Sequence, residues 1–281
     1  MPVIDTKKEL HAHLSASPRT GGIGLVPTMG ALHEGHVALV EKAIAENETV
    51  VVSIFVNPTQ FDNDEDLKKY PNTLEGDLAL LEGICKDIIV FAPSADEIYD
   101  RHIRSKTYDF EGLDKGMEGA FRKGHFNGVG TIVEVLLLLV KPDRAYFGEK
   151  DFQQLQIIRK LVAQNDLPVA IIGCPIVREE SGLALSSRNE RLPETLRQEA
   201  SFIYRTLRTA KRQFGTKSAS YVKNWAQKQF ENHAALRLEY FEIADENTLT
   251  PIQRKKTDVK YRAFVAVYAD EVRLIDNIAL N

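Results

Sequence analysis

Short apolar runs alternate along the chain with longer segments in which apolar residues recur at helical spacing. The runs predict five strands, at about 23–27, 49–56, 87–92, 143–147 and 168–173. The amphipathic segments predict four helices, near 35–47, 72–85, 126–140 and 151–165. Because strands that alternate with helices usually pair in parallel, we expect a Rossmann-like parallel sheet with helices on both faces.

The pattern changes after about Arg178. Two helical segments come first and three strand-like runs follow, near 194–213, 218–232, 237–244, 261–268 and 272–277. Helices followed by strands are typical of an α+β domain. The sequence therefore predicts two domains, a Rossmann-like domain over 1–177 and a smaller C-terminal α+β domain over 178–281.

Composition excludes several classes of protein. The chain has 281 residues, and the hydrophobic 43% of them can fill a sizeable core. Its 36 Lys and Arg residues against 40 Asp and Glu residues give a net charge of -4, so we expect no nucleic-acid partner. Two cysteines are too few for a disulfide framework, and the first residues lack a secretory signal, which favours a cytoplasmic location. The longest apolar run, 135–140, is too short to span a bilayer, so we expect no membrane partner.

The first polar motif joins the strand at 23–27 to the following helix. His33 and His36 stand three residues apart and therefore share one face of the first helical turn. A helix N-terminus presents free N–H groups and a positive dipole end, and Gly35 lets a flat base lie close to the backbone. The motif predicts a site for a nucleotide phosphate. Histidines that cap the helix, lie in the core or form a metal pair are the alternative.

The second motif follows the strand at 49–56. Pro58 fixes a turn that carries two amide side chains, Asn57 and Gln60. These amides can recognise hydroxyl groups or a carboxylate. An ordinary polar turn is the alternative.

The third motif follows the strand at 143–147. Gly148 frees the backbone, Lys150 supplies a point charge at a helix start, and Gln154 faces inward one turn later. The alternative is a solvated run of charges in which Asp151 caps the helix.

The fourth motif follows the last parallel strand, where the two predicted domains meet. Ser186, Ser187 and Arg188 offer two hydroxyls and a guanidinium, which suit phosphate oxygens. A linker with a helix cap is the alternative. A fifth stretch, with Arg122, Lys123 and His125, is expected to support the site. The alternative is that His125 caps the following helix or forms a dimer contact. Because the carboxyl ends of parallel strands gather at one edge, we expect these motifs to lie near that edge.

Together the motifs resemble those of the pantoate–β-alanine ligase (pantothenate synthetase) family, within the nucleotidyltransferase superfamily. Four strings carry the resemblance, which covers nearly the whole chain: 27–36, 55–61, 147–154 and 183–189. The resemblance implies ATP-dependent condensation of (R)-pantoate with β-alanine to pantothenate, on the route to coenzyme A. It implies a pantoyl-adenylate intermediate, release of AMP and pyrophosphate, a requirement for Mg²⁺ and a homodimer. Residues 178–281 would act as a lid over an ATP- and pantoate-binding domain.

The resemblance also implies roles for individual residues. His33, His36, Lys150 and Arg188 would be catalytic, with His36 as the proton donor. Pantoate would be bound by Gln60 and Gln154, which Asn57 joins in the predicted acid pocket, and Asp77 is the predicted protein ligand to Mg²⁺. The predicted contacts to ATP are Met29, Gly30, Ala31, Leu32, His33, Glu34, Gly35, His36, Gly148, Glu149, Lys150, Asp151, Val177, Leu185, Ser186, Ser187 and Arg188.

The sequence departs from the family pattern at three positions. Lys123 stands where a proline is frequent, Ser181 stands where an acidic residue is frequent, and Gly76 precedes Asp77 in a stretch where more acids are frequent. Because the carboxylate of pantoate is ionised near neutral pH, we expect the histidines to donate hydrogen bonds to phosphate and not to act as nucleophiles.

Two other functions are alternatives to the ligase. One is another nucleotidyltransferase of the superfamily, and the other is a non-catalytic nucleotide sensor or RNA-binding relative.

Overall fold

The computed structural model describes residues 1–16, 21–71 and 73–281. It forms two compact units, each assembled from several segments of the chain. The first unit consists of Met1–Phe110, Arg122–Glu149 and Gln154–Pro175. The second consists of Glu111–Phe121, Lys150–Gln153 and Ile176–Asn281. Two short segments therefore group with the C-terminal part of the chain, and the predicted division after Val177 stays a prediction.

The first unit contains a six-stranded sheet in which every neighbouring pair is parallel. The order of its strands is β1-β4-β3-β2-β5-β6. Their bounds are β1 Val3–Ile4, β2 Ile23–Thr28, β3 Thr49–Ile54, β4 Ile89–Phe91, β5 Arg144–Gly148 and β6 Ala170–Cys174. The predicted Rossmann-like parallel sheet is therefore confirmed.

Helices surround this sheet. Their bounds are α1 Lys7–Ala16, α2 Glu34–Glu46, α3 Asp64–Lys69, α4 Leu74–Ile84, α5 Ala95–Tyr99, α7 His125–Val140 and α8 Phe152–Gln164, with α6 Glu118–Phe121 belonging to the second unit. The four helices expected from periodicity are present, although Asn72, where one was expected to start, lies outside the described residues. Helices α1, α3, α5 and α6 were not predicted. In α1, for example, Leu10 and Leu14 are the buried residues, which is too short a stripe to detect by periodicity.

The order of the strands places a topological switch point between β2 and β5. From β2 the chain moves outward through β3 and β4, whereas β5 pairs with the other side of β2. Open parallel sheets bind their ligands at the carboxyl ends of the strands beside such a point. In this sheet those ends are Thr28 and Gly148, which lead directly into the first and third motifs.

The second unit has a separate hydrophobic core. An antiparallel sheet in the order β7-β8-β9 packs against two helices, which confirms the smaller α+β region. Their bounds are α9 Glu194–Phe214, α10 Ala219–Glu231, β7 Leu236–Asp245, β8 Tyr261–Ala269 and β9 Val272–Ala279. Arg273 pairs with Glu118 and Glu239, which fixes α6 to this sheet. Across 1–16, 21–71 and 73–281, no helix combines the length and the apolar character needed to cross a membrane.

Candidate active site

The turn after β2 has an unusual backbone conformation. Gly30 and Ala31 both have positive φ, +80° and +49°, so two successive residues occupy the left-handed region. The amide of Gly30 donates to the hydroxyl of Thr28, at 3.2 Å. This conformation reverses the chain within a few residues and leads it from the strand into α2.

His33 and His36 cap the first turn of α2 reciprocally. His33 Nδ1 accepts from the amide of Gly35 at 3.1 Å, and His36 Nδ1 accepts from the amide of His33 at 3.3 Å. The two rings have their centroids 4.1 Å apart. Because both Nδ1 atoms accept, these hydrogen-bond partners assign the proton of each neutral ring to Nε2. The capping alternative is therefore correct for both residues, and it also makes each ring an Nε2–H donor.

Asp77, from the first turn of α4, braces the same turn. Its side chain is buried, with 3% exposure. Its Oδ2 accepts from the amide of Ala31 at 2.9 Å and its Oδ1 from the amide of Leu32 at 2.8 Å. The hydroxyl of Thr73 donates to Oδ1 as well, at 3.2 Å. The carboxylate thus holds the two residues that precede the N-cap of α2.

These contacts do not suit Asp77 to a protein-held metal site. Both of its oxygens already accept hydrogen bonds. Within the described part of the chain, no group of three His, Cys, Asp or Glu side chains could hold a metal ion. The described residues therefore do not fit a dedicated Mg²⁺ cage.

The second motif forms a short 3-10 helix, Pro58–Gln60, after β3. Asn57 is 1% exposed, and its Nδ2 donates to Oε1 of Gln60 at 3.2 Å and to the carbonyl of Gly128 at 3.1 Å. Its Oδ1 accepts from the hydroxyl of Tyr99, whose pKa is raised by burial, so that this hydroxyl stays protonated. Asn57 thus uses both ends of its amide inside the protein and orients Gln60.

Gln60 connects the second motif to the first. Its Nε2 donates to Sδ of Met29 at 2.7 Å. A thioether sulfur is a weak acceptor, so a carboxylate or hydroxyl oxygen placed here would make a stronger bond. The amide of Gln60 is consequently oriented by Asn57 and directed toward the turn that carries the histidines.

The fifth stretch supports Gln60 from the backbone side. The carbonyl of Gln60 accepts from Nδ1 of His125 at 2.7 Å and from Nη2 of Arg122 at 3.4 Å. Arg122 Nη1 lies 3.0 Å from Nε2 of His125. Gly128 permits this packing, because a Cβ there would lie 2.3 Å from the carbonyl oxygen of Thr59. Arg122 and His125 therefore hold the backbone of Gln60.

The third motif is divided between the two compact units. Gly148, Glu149 and Gln154 belong to the first unit, whereas Lys150 and Asp151 belong to the second. The ammonium of Lys150 lies 3.6 Å from Oδ2 of Asp151. At the end of β6, burial raises the pKa of the Cys174 thiol to about 11, so this cysteine supplies no thiolate nucleophile.

The fourth motif begins a 3-10 helix, Ser187–Arg191. The hydroxyl of Ser186 caps this helix by accepting from the amide of Arg188 at 3.3 Å. The amide of Leu185 donates to the carbonyl of Val177 at 3.0 Å, which joins two predicted ATP contacts. The alternative of a helix cap is thus correct for Ser186 and leaves its role toward phosphate open to test.

Two adjacent residues of β9 hold the segments that carry the third and fourth motifs. Asp276 binds the guanidinium of Arg178 through both oxygens, at 2.6 and 2.8 Å. Asn277 donates from Nδ2 to the carbonyl of Lys150 at 2.8 Å and accepts from Arg262 at 2.6 Å. Sequence reasoning missed these residues, and no local pattern marks them, since Arg178 is 98 residues from Asp276 and Lys150 is 127 residues from Asn277.

The predicted site residues therefore form two groups. The group in the first unit is Met29, Gly30, Ala31, Leu32, His33, Glu34, Gly35, His36, Asn57, Gln60, Asp77, Gly148, Glu149 and Gln154. The group in the second unit is Lys150, Asp151, Val177, Leu185, Ser186, Ser187 and Arg188. That all of them surround one triphosphate stays a prediction.

Comparison with known proteins points to one family. The family model described as pantoate-β-alanine ligase matches residues 2–279. The pantothenate synthetase of Christiangramia forsetii is 61% identical over 259 residues, which cover 92% of each chain. That of Bacteroides thetaiotaomicron is 50% identical, with 99% of this chain and 98% of the relative covered.

Solved structures give the same result. Pantothenate synthetase from Thermus thermophilus has a TM-score of 0.92 and 42% identity, covering 100% of this chain and 99% of that one. Pantoate-β-alanine ligase from Francisella tularensis, complexed with β-γ ATP and β-alanine, has a TM-score of 0.81 and 36% identity, covering 100% and 98%. Neither the other nucleotidyltransferase nor the sensor is favoured by these relatives. With a matching fold over its full length and 61% identity to a relative of that name, the chain belongs to the pantoate–β-alanine ligase family.

Proposed function

We propose that the histidine turn after β2 is where this ligase activates pantoate with ATP. The enzyme joins pantoate to β-alanine by forming a carbon–nitrogen bond, as its family membership shows. The observation that carries the proposal about the turn is the pair of Nε2–H donors at the start of α2, beside the switch point of the sheet. A helix N-terminus adds backbone donors and a positive dipole end, which favour phosphate.

The first step needs positioning and charge neutralisation, not a base. A carboxyl group titrates near pH 4, so pantoate is already a carboxylate at neutral pH. One carboxylate oxygen attacks the α-phosphorus of ATP in line, pyrophosphate leaves, and pantoyl adenylate forms. Negative charge grows on the phosphate oxygens during this step, and Nε2–H groups that are already oriented stabilise it without reorganisation.

The remaining cations and hydroxyls are proposed to act on the same phosphates. Lys150 and Arg188 would neutralise charge on the leaving pyrophosphate, with Ser186 and Ser187 donating to its oxygens. His33 and His36 would hold the α-phosphate side, with His36 as the proton donor. We propose that the remaining ATP contacts implied by the resemblance, in 29–36, 148–151, 177 and 185–188, bind the same nucleotide.

Gln60 and Gln154 are the proposed ligands of pantoate. Oε1 of Gln60 accepts from Asn57, and Nε2 of Gln60 donates to the sulfur of Met29, which is a weak acceptor. A pantoate oxygen that replaced the sulfur would form a stronger hydrogen bond with Nε2. Asn57 is fully used inside the protein, and we propose that it positions Gln60 and does not contact pantoate itself.

In the second step the amine of β-alanine attacks the carbonyl carbon of the adenylate. The carbon–nitrogen bond forms, the bond to the phosphate oxygen breaks, and AMP leaves. The amine must first lose a proton, which costs roughly 4 kcal/mol at pH 7, from about three pKa units at 1.36 kcal/mol each. The phosphate group that departs with AMP is a suitable acceptor for the proton that the new amide gives up.

Three finer proposals rest on the resemblance. Mg²⁺ accompanies ATP, the enzyme is a homodimer, and it works in the cytoplasm. Magnesium usually keeps several waters and binds substrate phosphates, so it does not need a cage of protein ligands. Loss of turnover on chelation, restored by added Mg²⁺, tests the first of these, and light scattering in solution tests the second.

Pantoate-dependent exchange of labelled pyrophosphate into ATP tests the function directly. We expect exchange with pantoate alone, because adenylate formation is reversible and needs no amine. With β-alanine alone we expect none. Tight ATP binding without exchange in the presence of pantoate would contradict the proposed activation step.

A further inference from the structure

We propose that Asp77 is a positioning residue that holds the strained turn before α2, and that it is not a ligand to Mg²⁺. The inference rests on the proposed role of this turn in binding ATP. In this proposal the buried carboxylate of Asp77, on α4, fixes the backbone that immediately precedes His33 and the first turn of α2.

The contacts of Asp77 match this task. Each of its two oxygens accepts from one backbone amide of the turn, Oδ2 from Ala31 at 2.9 Å and Oδ1 from Leu32 at 2.8 Å. Hydrogen bonds to a charged acceptor are stronger than those between neutral groups. The residue that follows Leu32 is His33, the N-cap of α2. The carboxylate therefore sets the direction in which the chain enters the helix.

The turn needs such support because of its backbone conformation. Ala31 has φ of +49°, a region that residues with a Cβ enter at an energetic cost. Gly30, with φ of +80°, lies so close to the carboxylate that a Cβ there would be 2.9 Å from Oδ2 of Asp77. Without the two charge-assisted bonds, Ala31 would relax toward negative φ. The entry into α2, and with it the histidine donors, would then move.

The same contacts argue against coordination of a metal. Magnesium demands nearly octahedral geometry and keeps several waters, so a carboxylate that binds it must face solvent or substrate. Asp77 is 3% exposed and both of its oxygens already accept hydrogen bonds. Its neighbour Gly76 has no side chain to offer.

The test combines Asp77→Asn with Ala31→Gly. Asparagine keeps the shape but replaces one acceptor oxygen with an NH₂ group that cannot accept from an amide. We expect the rate of pantoate-dependent exchange to fall about 10- to 100-fold, as for misplaced catalytic groups, while the Mg²⁺ concentration for half-maximal rate stays unchanged. Adding Ala31→Gly should recover part of the rate several-fold, because glycine adopts positive φ without penalty. A metal-ligand role predicts a raised Mg²⁺ requirement and no recovery.

Controls separate this inference from the function. Glu75→Gln, an exposed acid in the first turn of the same helix, should leave the exchange rate and the Mg²⁺ requirement unchanged. An unmutated enzyme with no exchange would refute the proposed function, whereas an active enzyme that tolerates Asp77→Asn would refute the positioning role.

A second measurement needs no variant and covers the case in which Asp77→Asn does not fold. Hydrogen exchange of the Ala31 and Leu32 amides in the unmutated enzyme should be slow, and addition of MgCl₂ without ATP should not change it. Faster exchange on addition of Mg²⁺ would show the carboxylate leaving the turn for the metal.

Discussion

Two regions of this enzyme orient their candidate functional groups with polar side chains, but over different distances along the chain. In the first unit, His33 and His36 cap the same helical turn, three residues apart. In the second unit, Asn277 holds the carbonyl of Lys150 from 127 positions away, and Asp276 binds Arg178 from 98. The caps of the histidine turn come from within the turn itself, and Asp77 braces its backbone from 46 and 45 positions away. The segment of Lys150 is instead held by the last strand of the fold.

This difference predicts different responses to mutation. With Asp77 in place, the histidine turn should keep its geometry if the capping acceptor is conserved, so the role of the ring can be tested separately from the cap. The segment of Lys150 depends on Asn277 of β9, so we expect a change at Asn277 to displace Lys150 although Asn277 itself takes no part in the reaction. A double-mutant cycle of Lys150 and Asn277 tests the segment held from β9, and the variant His33→Asn tests the histidine turn.

The largest effect is expected for Lys150→Ala, combined in a cycle with Asn277→Ala. Loss of Lys150 should lower the rate of pyrophosphate exchange about 100- to 1000-fold and change the affinity for ATP little, because charge develops mainly in the transition state. Asn277→Ala alone should cost about 10-fold by misplacing Lys150, and should cost nothing further when Lys150 is already alanine.

The matched control for this cycle is Asn281→Ala, which removes an amide bonded to Tyr261 and Val259. Its effect on the exchange rate should be small in both backgrounds. If Asn277→Ala lowers the rate by the same factor with and without Lys150, then Asn277 stabilises the unit in general and does not position the lysine. If Lys150→Ala lowers the affinity for ATP and the rate by the same factor, then Lys150 stabilises bound ATP and the transition state equally and does not accelerate the reaction itself.

A smaller effect is expected for His33→Asn, which separates the cap from the donor. Asparagine is a good N-cap, so the melting temperature should change little, whereas removal of the ring Nε2–H donor should lower the exchange rate about 100-fold. His11→Asn, at an exposed position of α1, is the control for replacement of a histidine. Full activity of His33→Asn would mean that the histidine serves the helix alone.

The same comparison explains what could be predicted from the sequence. The alternation of apolar runs predicted five of the six parallel strands, because buried strands and amphipathic helices have distinct periods. β1 has two residues, Val3 and Ile4, too few for any period to appear. The pairing of β2 with β5, which creates the switch point, depends on contacts between distant segments and had no signal of its own.

In the site, prediction was strongest where the geometry is local. The spacing of His33 and His36 predicted that they share one turn, and the structure places both there. Asp77 was expected to bind metal, because its type and its place in the family pattern favoured that role, whereas its burial against Ala31 and Leu32 depends on the tertiary fold. Arg178, Asp276 and Asn277 were missed for the same reason.

The most direct measurement follows oxygen through the first step. Pantoate labelled with ¹⁸O in its carboxylate is turned over with ATP and β-alanine, and the AMP is analysed by mass spectrometry. If the carboxylate attacks the α-phosphorus, AMP carries one ¹⁸O atom, and no histidine of the enzyme carries an adenylate during turnover. Unlabelled AMP with ¹⁸O in pyrophosphate, or a histidine-linked adenylate trapped during turnover, would contradict direct attack of the pantoate carboxylate on the α-phosphorus.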